Sequence, residues 1–296
     1  MRWSLAAAVV VGAGLGSPVQ GQHAKLVLFG GQNEAALAEP REHRMVHPLT
    51  SPYDNEDASI TTDIRACYAY HDFPSDILLG GGKAQTAAVQ ARVAITDRLQ
   101  LVAYKDGYFW IDTPAVDEDG WVDVAAGLKY AVVQDYENQF HWSVGAGYEM
   151  PLGDPSVFQN DDEFRLFTGV NKGFGRLHLS ANASYFFGLG RDQDAGNSDR
   201  FAWHLHADYY VTEWFSPVLE INGYHITQAG TSGIPFQGAD VFNLGQGEDD
   251  PVITIAPGVE FRPAEWVALR GAVEVPLTDK EDVYGSRLTF SAVFSF

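Results

Sequence analysis

The chain has 296 residues, and its 39 Asp and Glu against 19 Lys and Arg give a formal net charge of −20. This charge argues against nucleic-acid binding, which needs clustered Lys and Arg. Hydrophobic residues make up 46% of the chain and mean hydropathy is close to zero. These values exclude a bundle of membrane helices and favour strands with one apolar and one polar face. The single cysteine, Cys67, allows no internal disulfide.

Residues 1–21 have the pattern of a secretory signal peptide. Arg2 supplies a positive start, and Leu5 to Leu15 is apolar and small. Val19-Gln20-Gly21 is a small-residue cleavage site before Gln22. The apolar core is too short to span a bilayer as a helix. We therefore expect export of the chain from the cytoplasm.

Residues 22–59 form a second, irregular segment. Its apolar run is Leu26-Val27-Leu28-Phe29, and a stretch rich in Pro and charge follows from Pro40 to Asp54. That composition favours irregular structure. We predict a loose periplasmic tail in preference to the alternative, a plug folded into the lumen of the barrel that follows.

From Ile60 onward, apolar and polar residues alternate with the period of a strand. Each segment is about long enough for a tilted strand to cross the hydrocarbon layer, which takes roughly 9–11 residues. Twelve strands are predicted, at 60–73, 84–96, 98–111, 121–134, 139–151, 163–172, 176–188, 200–212, 214–226, 251–262, 265–277 and 285–296.

The connections between these strands alternate between short and long. Thr96-Asp97-Arg98 and Gly173-Phe174-Gly175 are short, whereas Asp154 to Glu163 and Thr227 to Asp250 are long and acidic. Such parity is typical of an up-and-down barrel whose two rims face the periplasm and the outside. The fold class predicted is all-β, a 12-stranded antiparallel transmembrane β-barrel over residues 60–296, with both ends of the barrel domain at the periplasmic rim.

The last strand has an apolar row that ends in Phe296. It resembles the insertion signal of bacterial outer-membrane β-barrels. The resemblance implies a Gram-negative-type outer membrane, with lipid and the barrel assembly machinery as partners. A closed barrel also explains the exposed aromatic row, because the last strand pairs with the first and turns this row to lipid.

Charged side chains fall repeatedly on the face assigned to the lumen. Lys105 and Asp106 are adjacent and cannot both face inward, which predicts a β-bulge near Lys105-Asp106-Gly107. The inward charges form either a polar path that selects solutes or a salt-bridged network that fills the barrel. The residues predicted to line the lumen are Arg92, Asp123, Lys129, Glu149, Arg165, His204, His206, Asp208, Glu220, Glu260, Arg270, Glu274 and Arg287.

The longest outer loop, residues 227–250, contains apolar residues among glycines. Ile234, Phe236 and Phe242 are candidates for a constriction or for contact with an apolar solute. The alternative is a loop that packs on itself above the rim.

Several strand-turn pieces resemble the outer-membrane proteins of the meta-pathway of phenol degradation. They are Thr96-Asp97-Arg98-Leu99, Asp123 to Tyr130 and Thr212-Glu213-Trp214-Phe215. The resemblance implies passage of hydrophobic compounds across the outer membrane.

The sequence also contains a candidate catalytic or metal site. His204 and His206 share one strand face with Asp208, a spacing known for metal ligands, and His178 or Glu220 could supply a third ligand. Lumen histidines that only form hydrogen bonds are the favoured interpretation. The chain has no G-x-S-x-G motif, and Gly80-Gly81-Gly82-Lys83 lacks the phosphate-loop spacing.

We therefore predict a channel that passes small solutes, hydrophobic ones among them, by passive diffusion, with no cofactor, no metal and no enzyme activity. The first alternative is a closed structural or surface-binding barrel whose acidic outer loops hold divalent cations against lipopolysaccharide. The second is an outer-membrane enzyme that uses the lumen His and Asp residues.

Overall fold

The computed structural model describes residues 26–31, 33–76, 79–159, 161–189, 198–228, 251–278 and 285–296. The predicted signal peptide lies outside these ranges. None of the helices in the described ranges is long and apolar enough to cross a membrane. The described elements are α1 (Glu34–Ala38), 3-10 turns at Arg41–His43 and Pro155–Val157, and strands β1 (Asp63–Phe73), β2 (Gly82–Ala94), β3 (Leu99–Lys105), β4 (Tyr108–Asp112), β5 (Asp117–Trp121), β6 (Val124–Asp135), β7 (Phe140–Met150), β8 (Glu163–Phe174), β9 (Leu177–Gly188), β10 (Asp199–Tyr209), β11 (Phe215–Gln228), β12 (Val252–Ala264), β13 (Val267–Pro276) and β14 (Ser286–Ser295).

These strand segments form one closed antiparallel sheet. β1 pairs with β2 on one side and with the final strand β14 on the other, which closes the barrel. β2 pairs with both β3 and β4, so these two segments are halves of one barrel strand. β5 and β6 pair with β4 and β3 and are the halves of the next. The predicted twelve-stranded antiparallel barrel, closed by its last strand, is confirmed.

The predicted bulge separates β3 from β4. The pairing of β3 with β6 shifts register between Ala103 and Lys105. Lys105 points into the barrel and is buried, whereas the carboxylate of Asp106 accepts the Val89 N–H at 3.1 Å. Gly107 has φ +127°, a conformation that glycine adopts without steric cost. The extra residue therefore allows two adjacent charged side chains to avoid the same face.

The outer face of the barrel is an apolar belt. On β10, Leu205 is 46% exposed while His204 and His206 beside it are buried, and the same alternation runs along the other strands. Aromatic side chains gather near both rims, as in the Trp214–Phe261 and Tyr108–Trp121 pairs, with ring centroids 5.8 and 5.1 Å apart. An apolar band between aromatic girdles is typical of transmembrane barrels, whose short turns face the periplasm.

The N-terminal segment differs from the predicted periplasmic tail. Residues 46–62, here called the plug, enter the lumen from the periplasmic rim, turn near the outer rim and return to β1. We call residues 46–50 the ascending arm, 51–53 the tip and 54–62 the descending arm. The residues before the plug lie at the periplasmic rim, where the Leu26 and Leu28 N–H groups bond to the Phe296 and Ala94 carbonyl oxygens, each at 3.0 Å.

Buried polar groups explain why this segment lies inside the barrel. A lumen lined by charged side chains needs partners for them, because an unpaired buried charge costs several kcal/mol. The plug has no regular secondary structure, and Pro48 and Pro52 interrupt it. Its own backbone groups must therefore also find partners. The plug supplies partners for the wall charges, and the wall supplies partners for the plug backbone.

Candidate functional site: the plugged lumen

The side chains predicted to line the lumen all lie inside the barrel. Each is at most 5% exposed. They are Arg92, Asp123, Lys129, Glu149, Arg165, His204, His206, Asp208, Glu220, Glu260, Arg270, Glu274 and Arg287.

Some of these charges are paired within the wall. Arg287 donates from Nε to Glu274 at 2.8 Å, and Arg270 donates from Nε to Glu260 at 2.9 Å. Lys105, at the end of β3, pairs with Glu149 of β7, with Ala125 of β6 between them in the sheet. These pairs fix side chains of adjacent or nearby strands to one another, as the salt-bridged network interpretation expects.

The ascending arm is held through its backbone N–H groups. The Leu49 and Thr50 N–H groups each donate to one oxygen of the Glu220 carboxylate at 2.8 Å, and the Thr50 hydroxyl also donates to it. The Val46 N–H donates to Asp208 at 3.1 Å. Two wall carboxylates therefore bind this arm without regard to most of its side chains.

The tip turns close to the outer end of the lumen. The Asp54 and Asn55 N–H groups donate to the Ser51 carbonyl oxygen, at 3.0 and 2.9 Å, and close the turn. Arg287 donates to the Ser51 hydroxyl at 3.1 Å. The ring of Tyr53 packs in a buried apolar cluster, and its hydroxyl donates to the Asp106 carbonyl oxygen at 2.8 Å. The tip is therefore anchored by both polar and apolar contacts.

The descending arm is held through its own carboxylates. Glu56 accepts from Arg92 Nη2 at 2.7 Å and Nε at 3.2 Å, and from Lys129 Nζ at 2.8 Å. Asp54 accepts from Arg200 Nη1 at 2.9 Å. Lys129 also donates to the Asp57 carbonyl oxygen at 2.9 Å. Basic wall residues thus bind acidic plug residues, the reverse of the ascending arm.

Polar wall residues complete the backbone bonding of the plug. Asn182 donates to the Glu56 carbonyl oxygen at 2.7 Å, and Asn171 accepts the Ala58 N–H at 3.2 Å. Gly169 permits the close approach between them, because a Cβ there would lie 2.9 Å from the Glu56 carbonyl oxygen. A side chain at this position would push the plug away from the wall.

The environment keeps the plug carboxylates charged. Burial opposes ionisation of Glu56, but the charges of Arg92 and Lys129 outweigh it and lower the pKa of Glu56 to about 2. Burial likewise opposes ionisation of Asp57, and His47 and Lys129 nonetheless lower its pKa well below the ordinary value. His47 Nδ1 lies 2.7 Å from the Asp57 carboxylate and links the two arms. The plug is therefore held as an anion at neutral pH.

The histidines of the candidate metal or catalytic site form hydrogen bonds with wall carboxylates and, for His204, with the Asn222 amide. His206 Nδ1 lies 2.7 Å from Glu220 and its Nε2 lies 3.1 Å from Asp208. His178 Nδ1 lies 2.8 Å from the other Asp208 oxygen. His204 Nδ1 lies 2.8 Å from the Asn222 side-chain oxygen. The arrangement orients Asp208 and Glu220, the two carboxylates that bind the ascending arm. Within the described ranges, no group of three or more His, Cys, Asp or Glu is arranged to hold a metal ion.

A cavity of ≈ 160 Å³ opens beneath the plug at the periplasmic rim. Plug residues such as His47 and Thr61 form one side of it, and strand ends with Lys172 and Arg262 form another. The plug lies between this cavity and the outer rim. The loop residues Ile234, Phe236 and Phe242 lie outside the described residues.

Sequence reasoning missed the plug as part of this site. A usable signal was present in the wall: Lys129 pairs in register with Gln100 and Gly145, and Arg165 with Gly147 and Phe186, so neither has an acidic neighbour across the sheet. Buried cations without wall partners require anions from elsewhere.

No protein-family model matches the chain, and no curated protein matches it. Among solved structures it is similar to the NanC porin, with 10% identity, a TM-score of 0.50, and coverage of 80% of this chain and 99% of that chain. The KdgM porin gives 11% identity, a TM-score of 0.47, and coverage of 78% and 99%. Outer membrane phospholipase A from Escherichia coli gives 11% identity, a TM-score of 0.39, and coverage of 83% and 97%.

At such low identity, the likeness to the NanC porin supports the fold alone. The resemblance to the phenol meta-pathway proteins is not confirmed by these comparisons and stays a prediction. The closed barrel, its apolar belt and its aromatic girdles agree with the predicted location. The chain is an outer-membrane β-barrel protein whose lumen holds its own N-terminal segment.

Proposed function

We propose that the chain is an outer-membrane channel for passive diffusion of small solutes and that the plug is its gate. The observation that carries this proposal is the nature of the contacts that hold the plug. Hydrogen bonds and ion pairs to wall side chains dominate both arms. Water or a polar solute can replace contacts of this kind, because both offer the same hydrogen-bonding groups in exchange. The plug is thus a segment that can leave or shift while the barrel stays closed on itself.

The lining favours polar solutes. Charged side chains such as Arg92, Lys129 and Glu220 line the described lumen, and a polar solute exchanges its hydration shell for such groups at low cost. The prediction of apolar solutes depends on Ile234, Phe236 and Phe242, which lie outside the described residues. We therefore propose polar solutes for the lumen itself.

A second candidate is a closed barrel with a structural role. The complete burial of the lumen charges and the pairing of Glu56 with two cations favour it. A network of this density can serve rigidity alone. The two candidates differ in one respect, namely whether movement of the plug opens a path for ions.

A reversible disulfide between plug and wall separates the candidates. A Cβ at Gly169 would lie 3.3 Å from the Ala58 nitrogen, so cysteines at 169 and 58 fall within disulfide reach. We would combine Gly169→Cys and Ala58→Cys with Cys67→Ser, which removes the native thiol. Conductance of the purified protein in planar bilayers is then recorded before and after reduction. The Gly169→Ser, Ala58→Cys, Cys67→Ser chain, which adds a side chain of similar size at 169 but cannot form the disulfide, is the matched control.

The gated channel predicts low conductance when the disulfide is formed and recovery on reduction, with no such effect in the control. If oxidation leaves an existing conductance unchanged, the plug is not the gate. If no conductance occurs in either state, nor when Glu56→Gln weakens the hold on the plug, the channel proposal is wrong and the closed barrel is favoured.

A further inference from the structure

Four wall cations of the lumen fall into two groups according to where their carboxylate partners lie. Arg287 and Arg270 have wall carboxylates as partners, Glu274 and Glu260. Arg92 and Lys129 have no wall carboxylate within ion-pair distance among the described residues, and their carboxylate partner is Glu56 of the plug. Departure of the plug would leave the second group without a counterion.

Glu56 is held as a ligand carboxylate would be. Two nitrogens of Arg92 approach one of its oxygens and Lys129 Nζ approaches the other, a charge-assisted arrangement that is among the strongest hydrogen bonds in proteins. Asp54, two residues earlier, accepts with both oxygens from Arg200 Nη1, and Arg200 Nη2 also lies 3.5 Å from the wall carboxylate of Glu163. Two residues of chain span at most about 7 Å, so the descending arm presents two carboxylates at a short, flexible spacing.

Unused donors extend this basic region. Arg270 is 4% exposed and donates from Nε to Glu260, yet its Nη1 and Nη2 atoms have no hydrogen-bond partner within the described part of the chain. Arg270 of β13 lies opposite Ser291 of β14, and Ser291 lies opposite Cys67 of β1. β1 in turn pairs with β2, the strand that carries Arg92. Buried guanidinium donors without a partner are costly unless a ligand completes them.

We infer that the descending arm of the plug occupies an anion-binding track on the lumen wall, and that the solute of the channel is a flexible oligoanion bearing two or more carboxylates. The inference rests on the proposed channel function and names its substrate class. The plug carboxylates take the place of the solute, so the solute and the descending arm compete for Arg92, Lys129 and Arg200.

Binding of tetraglutamate to the full chain in detergent tests this inference by calorimetry, without any need for conductance. Tetraglutamine is the neutral control ligand. Glu56→Gln weakens the internal competitor and leaves both wall cations in place. Glu118→Gln removes an equal charge from an exposed position on β5 and is the matched control variant.

We expect Glu56→Gln to bind tetraglutamate at least about tenfold more tightly than the native chain, because the ligand no longer has to displace an ionised plug carboxylate. Glu118→Gln should match the native chain, and tetraglutamine should not distinguish the variants. Adding Lys129→Gln to Glu56→Gln should abolish the gain. Arg92 remains in this double variant, and circular dichroism checks that its strand content is native.

Equal tetraglutamate affinity in the native chain and Glu56→Gln would overturn the inference, as would absence of binding in both. Equal gain for tetraglutamine would also overturn it, because the effect would not depend on charge. Charge-dependent binding of tetraglutamate without conductance in any variant would refute the channel and support the anion-binding track. Conductance without charge-dependent binding of tetraglutamate would refute the anion-binding track and support the channel.

Discussion

The two arms of the plug lie in the same lumen but are bound by opposite chemistry. The ascending arm donates backbone N–H groups of Val46, Leu49 and Thr50 to wall carboxylates. The descending arm offers the side-chain carboxylates of Asp54 and Glu56 to wall cations. Binding of the first arm therefore depends on the wall sequence and little on its own. Binding of the second depends on both sequences, which makes it the arm that a solute can imitate.

The largest effect is expected from removal of the carboxylate at the centre of the descending arm. Glu56→Ala leaves Arg92 and Lys129 buried without a carboxylate partner, and breaking a buried pair on one side costs about 3–5 kcal/mol. The measurement is the rate of maleimide labelling of Ala58→Cys in the Cys67→Ser background. We expect a rise of at least about 100-fold, because more than 2.7 kcal/mol is lost. Unchanged labelling would mean that the descending arm is held by other contacts.

The ascending arm should respond to a change in the wall. Glu220→Gln replaces the charged acceptor of the Leu49 and Thr50 N–H groups, and hydrogen bonds to charged groups contribute about 1.5–3 kcal/mol each. We expect a loss of about 2–3 kcal/mol, read as faster labelling of a cysteine at Leu49, with Cys67→Ser as background. A Pro48→Ala substitution, which alters the arm and keeps these N–H groups, is the control. If the two variants label alike, backbone recognition is not what holds this arm.

A steric change tests the contact between the descending arm and the wall. Gly169→Ala places a methyl group 2.9 Å from the Glu56 carbonyl oxygen, and overpacking of this kind costs about 1–3 kcal/mol. Gly271→Ala is the matched control, since the nearest atom to its Cβ lies 3.5 Å away. We expect faster labelling of Ala58→Cys for Gly169→Ala alone. Equal labelling in both would show that the plug yields at this point without loss.

The smallest change in plug binding is expected when the pH is lowered from neutrality. The pKa of Glu56 is lowered to about 2, so its contribution to plug binding is complete above the ordinary glutamate value near 4.5 and is lost as the pH falls through about 2. Labelling of Ala58→Cys, with a reagent that reacts at low pH, should change little from pH 7 to 5 and rise below pH 4. Glu56→Gln should remove the part of this rise that comes from residue 56. A rise centred near pH 6 would assign the release to histidines instead.

The barrel can be predicted from the sequence because the alternation of apolar and polar residues within each strand identifies its two faces. Alternation and turn parity require only neighbouring residues, and even the bulge at Asp106-Gly107 follows from one forbidden pair of charges. The plug could not be predicted in this way. Glu56 and Lys129 are 73 residues apart, and Leu49 and Glu220 are 171 apart. Half of those contacts also use backbone groups, which every residue carries, so composition alone indicated only irregular structure.

The position of the plug directly before β1 couples occupancy of the lumen to biogenesis. The seam between β1 and β14 joins the two ends of the barrel sequence, and the plug leads directly into β1. Without Glu56, Arg92 on β2 and Lys129 on β6 have no carboxylate partner among the described residues. Insertion of the plug therefore relieves the repulsion between these two cations in the closed barrel. A barrel that closed with the plug outside the lumen would retain that repulsion, so insertion of the plug is favoured thermodynamically.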